Sequence, residues 1–277
     1  MQKEINIFAP ATVANVACGF DVLGFALNSP GDEISIALNG NGRLELRNET
    51  PYDLPLFPEK NVTTVALKSM LDALQSEQGF TITFLSKIMP GSGVGSSAAS
   101  AAAGVFGANE LLGRPFTRRQ LVKFAMQGER VASGSAHADN VAPALMGGFT
   151  LVRSYTPLDI IPIPHPPIYA AVAHPQIEVR TSDSRKILRK EVPIKKAIEQ
   201  WGNVAGLVAG LFTSDYELIS RSLHDVIVEP VRALLIPEFY AIKRAAMKAG
   251  ALGCSISGSG PSIFALCKDE TTAQEAA

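Results

Sequence analysis

A stretch of fifteen residues without a single charge, PGSGVGSSAASAAAG at positions 90–104, constrains this chain more than any other part of it. Glycine adopts irregular backbone without strain, whereas alanine has the highest propensity for helix. A glycine-rich segment that runs directly into an alanine-rich one therefore predicts a tight loop followed by a helix, here over residues 96–112. Two serines, Ser96 and Ser97, stand at the junction.

The predicted junction has the properties of a binding site for phosphate. The first N–H groups of a helix lack partners within the helix, and the helix dipole makes that end positive. Glycines allow an anion to approach closely because no Cβ intervenes, and serine hydroxyls can ligate Mg²⁺ beside phosphates. The alternative is a glycine-rich turn before an ordinary buried helix. The uncharged loop and the adjacent serines favour phosphate binding.

The loop differs from two familiar phosphate motifs. No lysine follows it, as a P-loop would require, and the spacing of its glycines does not fit the G-x-G-x-x-G of a Rossmann unit. We expect a phosphate group to be held by Pro90, Gly91, Ser92, Gly93, Val94, Gly95, Ser96, Ser97, Ala98, Ala99, Ser100 and Ala101.

Composition restricts the remaining classes of protein. The 277 residues are 47% hydrophobic and 18% charged, which is typical of a globular chain with a large core. A net charge of −1 leaves no basic field for nucleic acid. Three widely spaced cysteines without a CxxC pair argue against disulfides and a cysteine-rich zinc site, and indicate the cytoplasm. We find neither a signal peptide nor an apolar run long enough to span a membrane.

The pattern of apolar residues predicts an α+β protein in two halves, residues 1–153 and 154–277. In the first half we expect strands at 4–10, 32–38, 43–48, 79–88 and 147–154, with the turn NGNG joining the second to the third. Helices are predicted at 61–78, at 96–112, and from a cap at Thr117 to Val131. Residues 133–140 read as a polar loop, and the proline-rich 157–167 as a boundary or crossover.

The second half is predicted to begin with a strand at 168–174. Helices are expected at 184–190, 193–212 and 237–249, followed by two strands around the glycine turn in residues 252–267. The last nine residues begin like a helix, and a two-layer α+β domain normally continues beyond such a point. We therefore expect a further C-terminal segment in the complete protein.

Three motifs in order carry a resemblance to a known family. They are PATVANVACGFDVLGFAL at 10–27, PGSGVGSSAA at 90–99 and GCSISGSGPSIFAL at 253–266. Together they resemble the three motifs of the GHMP small-molecule kinases. The resemblance implies the two-domain fold of that family, with an ATP-binding half like ribosomal protein S5, a ferredoxin-like C-terminal half, and the site between them.

Within this family the chain most resembles the branch that phosphorylates homoserine. The resemblance rests on PATVAN…GFD, residues 133–149, FPEKN, RTSDSR and EPVR. Val94 and Cys18 depart from the usual residues, but neither change removes a chemical group. The implied reaction transfers the γ-phosphoryl of ATP to L-homoserine, with Mg²⁺, in threonine biosynthesis. A homodimer is common in the branch.

The resemblance also implies roles for individual residues at the nucleotide end. Ser97 and Glu129 would hold Mg²⁺, and Asn61 would contact the adenine. Taken alone, Glu129 would be a surface glutamate paired with Arg130 or Lys123, and Asn61 would be a helix N-cap. Asn61 can serve both purposes.

The acceptor is a zwitterion, and the residues expected around it suit both of its charges. Arginine binds a carboxylate through two parallel hydrogen bonds, which suits Arg185 and Arg232. Oxygen atoms of aspartate or asparagine would accept from the ammonium. The candidates are Asn15, Asp21, Asp139 and Asn140, with His137 and Thr181 as further contacts. For Asn15 and Asn140, local turn formation is the competing explanation.

Asp139 could be a general base, as an aspartate is in some relatives. A loose transition state needs little early deprotonation, so we expect Asp139, beside Asn140, to act mainly by binding the acceptor. We also expect the glycine turn at residues 258–260 to pack against the glycine-rich loop of residues 90–95, which we call the phosphate loop.

The alternatives to a kinase of this branch are another GHMP kinase, a catalytically silent nucleotide-binding module and a purely structural domain.

Overall fold

The computed structural model describes residues 3–134, 136–177, 179 and 181–277, apart from the side chains of residues 133 and 182. Ser135 of the predicted polar loop and Arg180 of the RTSDSR motif lie outside this range. Among the described residues, no helix is both long enough and apolar enough to cross a membrane.

In the described part of the N-terminal half, six strands form one mixed sheet. They are β1 (Glu4–Ala14), β2 (Leu23–Leu38), β3 (Leu44–Asn48), β4 (Phe80–Ser86), β5 (Phe149–Tyr155) and β6 (Leu158–Ile163). The order is β3-β4-β2-β5-β6, and β1 also pairs with β2. The NGNG turn joins β2 to β3, as predicted, but these two strands do not pair with each other. β4 lies between β2 and β3, and β3 runs parallel to β4.

Four helices complete the described part of this half. They are α1 (Val62–Leu74), α2 (Ser96–Leu111), α3 (Arg118–Ser133) and α4 (Val141–Met146). α1 is shorter than predicted because Gln75 turns into the left-handed conformation, with φ 52°. The expected cap of α3 is present, since Thr117 and Gln120 form a reciprocal capping box. The small residues of α2 let its neighbours approach closely: a Cβ at Gly107 would lie 2.6 Å from Ile36 Cδ1.

The second half contains an antiparallel sheet of three strands in the order β7-β9-β8. They are β7 (Tyr169–Ala173), β8 (Gly253–Ile256) and β9 (Ile263–Cys267). The helices are α5 (Thr181–Lys186), α6 (Ile194–Thr213), α7 (Tyr216–Ser222), α8 (Glu229–Arg232), α9 (Phe239–Lys248) and α10 (Glu270–Ala276), with a 3₁₀ turn at Ala233–Leu235. The expected boundary at 153/154 falls within β5. The first sheet continues to Ile163, because β6 pairs with β5.

The two halves share one hydrophobic core. Alternate side chains of a strand face opposite sides of its sheet, and β9 uses both sides. Phe264 and Leu266 join the large core of the N-terminal half, where the Phe264 ring lies 5.9 Å from that of Phe25. Ile263 and Ala265 face a smaller cluster that includes Phe239 of α9. The C-terminal sheet is therefore packed on both faces.

The C-terminal glycine turn is joined to the phosphate loop, which confirms the expected packing. The Ser257 hydroxyl donates to the carbonyl of Gly93 at 2.7 Å, and the Ser262 hydroxyl donates to that of Ser92 at 2.6 Å. A Cβ on Gly93 would lie 2.5 Å from the carbonyl oxygen of Gly260. Only a glycine at position 93 allows this approach.

We predict that Gly93→Ala lowers the free energy of unfolding by about 3 kcal/mol. Alanine is strained at the positive φ of this position, and its Cβ would collide with the carbonyl oxygen of Gly260. Gly91→Ala is the matched control. Gly91 has a similar φ of 76°, but no atom lies within 4 Å of its virtual Cβ. This control variant should lose only about 1 kcal/mol. Urea denaturation measures both, and equal losses would show that the contact with Gly260 is unimportant.

Candidate active site

A cavity of about 840 Å³ lies where the two halves meet. Most of the residues that the sequence predicts for the site line this cavity. They are Asn15, Asp21, Asn61, Pro90, Gly91, Gly93, Gly95, Ser96, Ser97, Ser100, Glu129, His137, Asp139, Asn140, Thr181, Arg185 and Arg232.

Five residues of the predicted nucleotide loop do not line the cavity: Ser92, Val94, Ala98, Ala99 and Ala101. All of them are buried. The three alanines belong to the face of α2 that packs in the core, and Val94, which precedes the helix, is buried in the same core. The carbonyl groups of Ser92 and Val94 accept hydrogen bonds from Ser262 and Thr12, which hold the loop from behind.

The loop has the backbone that its glycines predicted. Gly91, Gly93 and Gly95 have φ values of 76°, 82° and 69°, all in the left-handed region. Gly95 is the N-cap of α2 and carries no side-chain cap, so the first N–H groups of the helix remain available to a ligand. The opening of the cavity onto Ser96 and Ser97 places such a ligand at the positive end of the helix.

Lys87, which was predicted only as part of a strand, also lines the cavity, and it forms a buried network at the start of α2. Its ammonium makes an ion pair with Asp32 at 2.9 Å, and both side chains are almost inaccessible, at 6% and 0% exposure. It also donates to the carbonyl and hydroxyl oxygens of Ser96 and to the hydroxyl of Ser100. The network fixes the first turn of α2. Its members come from three elements, so no local sequence pattern marks it.

Glu129 lies inside the protein, and its predicted surface alternative is wrong. The residue is 7% exposed and accepts a hydrogen bond from Ser97. Burial raises the pKa of this carboxyl group, while the Ser97 hydrogen bond and the charge of Lys87 oppose the shift. A buried carboxylate beside a hydroxyl is a suitable pair of oxygen ligands for a small divalent cation.

Asn61 caps α1, as predicted by its alternative role as a helix N-cap. Its side-chain oxygen accepts from the backbone N–H of Thr63 at 2.9 Å, and its amide donates to the carbonyl of Pro55 at 2.8 Å. The residue also lines the cavity. One N–H of the amide remains available for a ligand. Contact with the adenine therefore stays a prediction.

Opposite charges meet on the wall of the cavity. The Arg185 guanidinium donates to both carboxylate oxygens of Asp21, at 2.8 and 3.3 Å. Arg232 is buried and donates to the carbonyl of Gly258 at 2.7 Å. Both guanidinium groups lie over the ring of Phe20, at 5.5 and 5.0 Å from its centroid. Sequence reasoning missed this aromatic platform, although Phe20 stands inside the first motif.

The burial of Arg232 has an electrostatic consequence. Burial and the neighbouring charge of Arg185 lower its pKa to about 10. A carboxylate placed between the two guanidinium groups would reverse both effects, because it supplies a counter-charge to each.

Asp139 is buried beside other carboxylates. It is 3% exposed, and its Oδ1 atom has no hydrogen-bond partner among the described residues. Burial, together with the charges of Asp21 and Glu129, raises its pKa to about 7 against the opposing effect of Arg185. His137 approaches Asp21 with an Nδ1–Oδ1 distance of 3.8 Å, and burial lowers the pKa of its imidazole.

The asparagines and Thr181 make structural contacts on the cavity wall. Asn15 donates to the carbonyl of Gly258 and accepts from the N–H of Asp21. Asn140 accepts from the Thr12 hydroxyl at 2.8 Å. The hydroxyl groups of Thr181 and Ser259 lie 3.2 Å apart. These contacts are not the local turns that were the competing explanation: Asn140 bonds to a residue 128 positions away without capping α4, and Asn15 bonds to Gly258 and to Asp21, six positions on. Contact of the two asparagines with a substrate stays a prediction.

Comparison with known proteins decides the family. The model of the GHMP kinase N-terminal domain matches residues 61–148, and that of the GHMP kinase C-terminal domain matches residues 207–277. Homoserine kinase of Chlorobium phaeobacteroides strain BS1 is 51% identical over 98% of this chain and 89% of its own. The chain belongs to the GHMP kinase family. ATP is the phosphoryl donor of such kinases, which agrees with the loop at the start of α2.

Other members of the GHMP kinase family support the assignment. Homoserine kinase of Methanococcus vannielii is 41% identical over 97% of this chain and 89% of its own. The crystal structure of homoserine kinase from Cytophaga hutchinsonii matches with a TM-score of 0.94 at 53% identity, covering 100% of this chain and 89% of that one. Mevalonate kinase of L. major has the same fold at 18% identity, with a TM-score of 0.74 and coverage of 100% and 91%.

We predict that Asp32→Asn or Lys87→Met alone lowers the free energy of unfolding by about 3 kcal/mol, since each leaves one buried charge without its partner. The double variant should recover most of this loss, because no net charge remains buried. The affinity of the double variant for ATP should stay below that of the wild type, since Ser96 and Ser100 no longer accept hydrogen bonds from Lys87. Urea denaturation and calorimetric titration with ATP measure the two effects.

The exposed pair Lys68–Asp72 provides the control for this cycle. Its side chains are 63% and 60% exposed, so Lys68→Met should cost less than about 1 kcal/mol. Strictly additive losses in the Asp32/Lys87 double variant would contradict the role assigned to the buried pair.

Proposed function

We propose that this GHMP kinase transfers the γ-phosphoryl group of ATP to the hydroxyl of L-homoserine. The product is O-phospho-L-homoserine, an intermediate of threonine biosynthesis. The observation that carries the substrate assignment is the charge pattern on the cavity wall: the Asp21 carboxylate faces Arg185, and Arg232 lies close by. An amino acid brings one charge of each sign, so it can satisfy these groups together.

The alignment of the acceptor follows from the same charges. Arg185 and Arg232 bind the carboxylate in this proposal, while Asp21 and Asp139 attract the ammonium. His137 and Thr181 lie beside them on the wall and limit the position of the side chain. The hydroxyl then points along the cavity toward the phosphate loop. Such positioning supplies much of the rate enhancement in phosphoryl transfer.

The donor is held by the helix N-terminus and the loop from Gly91 to Ser97. Ser97 and Glu129 are proposed to hold Mg²⁺, and their fit rests on the hydrogen bond between them and on the burial of the Glu129 carboxylate. A bound Mg²⁺ would supply charge neutralisation to the phosphates. Asn61 is proposed to contact the adenine with its remaining N–H.

Asp139 can act in one of two ways: it can take the proton from the acceptor hydroxyl, or it can bind the ammonium of the acceptor. A pKa of about 7 is suitable for a general base, and a buried carboxylate is equally suitable for binding an ammonium. The loose transition state of phosphoryl transfer favours the second, because the hydroxyl needs little activation. We propose that Asp139 binds the acceptor and that the proton passes directly to the phosphate.

The alternatives explain less of the site. Mevalonate carries no ammonium and leaves Asp21 and Asp139 without a cation, and similarity to a mevalonate kinase at 18% identity shows the fold alone. A silent module would not need the buried pair of Ser97 and Glu129.

The cytoplasm is the proposed location, in keeping with the unpaired state of Cys18, Cys254 and Cys267. Assembly as a homodimer stays a prediction.

The first experiment measures ADP release with Mg²⁺-ATP and a panel of L-homoserine, D-homoserine, L-threonine, mevalonate and galactose. We expect strong turnover with L-homoserine alone, because the two charges of the acceptor and its hydroxyl must fit simultaneously. Turnover with mevalonate or galactose would keep the kinase and refute the amino-acid site. ATP binding without any turnover would favour the silent module.

We predict that Asp139→Asn keeps its turnover at saturating L-homoserine and raises the KM at least tenfold at pH 8, since it loses a charge that attracts the ammonium. The sign of the pH dependence follows from the pKa of about 7. In the wild type the carboxyl becomes charged as the pH rises from 6 to 8, so the KM should fall. The variant should lack this fall. Initial rates at several pH values measure both.

Asp72→Asn serves as the control, because it makes the same chemical change on the exposed surface of α1. It should leave the KM and its pH dependence as they are in the wild type. A collapse of turnover in Asp139→Asn at saturating acceptor would instead identify Asp139 as a general base.

A further inference from the structure

Tyr155 is the last residue of β5, and the sheet places it against the first motif. β5 pairs with β2 through Leu151 and Leu23, and the N–H of Val152 donates to the carbonyl of Val22. β2 begins at Leu23, so β5 extends beyond the start of its neighbour. Tyr155 therefore lies beside the loop of residues 15–22 that leads into β2.

The Tyr155 hydroxyl joins two loops of the acceptor end. It donates to the carbonyl of Asp21 at 2.9 Å and accepts from the N–H of Ala138 at 3.3 Å. The first loop carries the Asp21 carboxylate. The second presents His137 and Asp139, the neighbours of Ala138, to the cavity. One oxygen atom thus connects the main chains that carry three of the acceptor-binding side chains.

The first loop has a backbone that needs such support. Asn15, Val16, Ala17 and Asp21 all have positive φ, at 72°, 43°, 59° and 60°. Residues other than glycine keep this conformation only where their surroundings fix it. The hydrogen bond from Tyr155 acts on the carbonyl of Asp21 itself. Its loss would release this strained residue at the position where the carboxylate enters the site.

We propose that Tyr155 is a positioning residue for the phosphoryl acceptor, and that its hydroxyl sets the separation of Asp21 from His137 and Asp139. The inference rests on the proposed function, since it concerns how the same site holds an amino acid. Tyr155 does not line the cavity and acts through the two loops rather than on the substrate.

The chemistry of the phenol agrees with this role. Burial of the hydroxyl raises the pKa of Tyr155, and the nearby charge of Asp139 raises it further. The hydroxyl therefore keeps its proton at the pH values of an assay and remains a donor to Asp21. The residue as a whole is 39% exposed, so its ring contributes less to the core than a buried tyrosine would.

The test is Tyr155→Phe, which removes one oxygen and leaves the ring. We expect the KM for L-homoserine to rise about tenfold, from the loss of two hydrogen bonds that position the loops. The KM for ATP should stay within about twofold of the wild type, because the phosphate loop is not touched. The melting temperature should stay within about 2 °C, as expected for a change at a partly exposed site.

Tyr216→Phe is the matched control. The Tyr216 hydroxyl likewise donates to a backbone carbonyl, that of Pro167, at 2.8 Å, but Pro167 does not line the cavity, whereas Asp21 does. This variant should keep both KM values. An unchanged KM for L-homoserine in Tyr155→Phe would overturn the inference. Equal rises in both KM values, or a loss of stability much larger than that of Tyr216→Phe, would also overturn it by showing a merely structural role.

The same assay separates failure of the inference from failure of the proposed function. A wild-type protein that binds ATP but does not phosphorylate L-homoserine refutes the proposed function, and the inference with it, before any variant is compared. A wild type that is active with L-homoserine, beside a Tyr155→Phe variant of unchanged KM, refutes the inference alone.

Discussion

The hydrogen bonds between the phosphate loop and the C-terminal glycine turn hold the two ends of the site in register. Ser257 and Ser262 donate to carbonyl groups of the loop, and Gly93 leaves room for the carbonyl of Gly260. The same turn offers the carbonyl of Gly258 to Asn15 and Arg232. A loop built in the first half of the chain is therefore fixed by residues more than 160 positions away, and Arg232 is tied to the same turn.

Buried charge is the second constraint on the molecule. The charges of Lys87 and Asp32 neutralise each other at the start of α2, where the Asp32 side chain is fully buried. In the cavity the balance is incomplete: burial raises the pKa of Glu129 and Asp139 and lowers that of Arg232. Each of these shifts runs in the direction that a ligand of opposite charge would reverse. The charges of the cavity therefore suit a ligand that carries both signs of charge.

The predictions that held concern local chemistry. The start of α2, the left-handed glycines before it and the cap of α3 follow from residue types and short spacings. The two halves and the three motifs could likewise be found from order and composition. Most side chains predicted for the site do line the cavity, because each motif lies in a loop that opens onto it.

The order of the strands could not be determined in this way. The sequence predicts β2 and β3 as strands joined by a turn, but only the packing of the sheet decides that β4 lies between them. For the same reason the end of the first sheet lies at Ile163 rather than at the expected boundary. Lys87, Phe20 and Tyr155 carry no signal of their own either, since their partners are distant in the chain. The sequence by itself determined the motifs whose residues line the cavity. The tertiary structure decided which buried neighbours hold them in place, because hydrogen bonds and ion pairs depend on distances that only the folded chain defines.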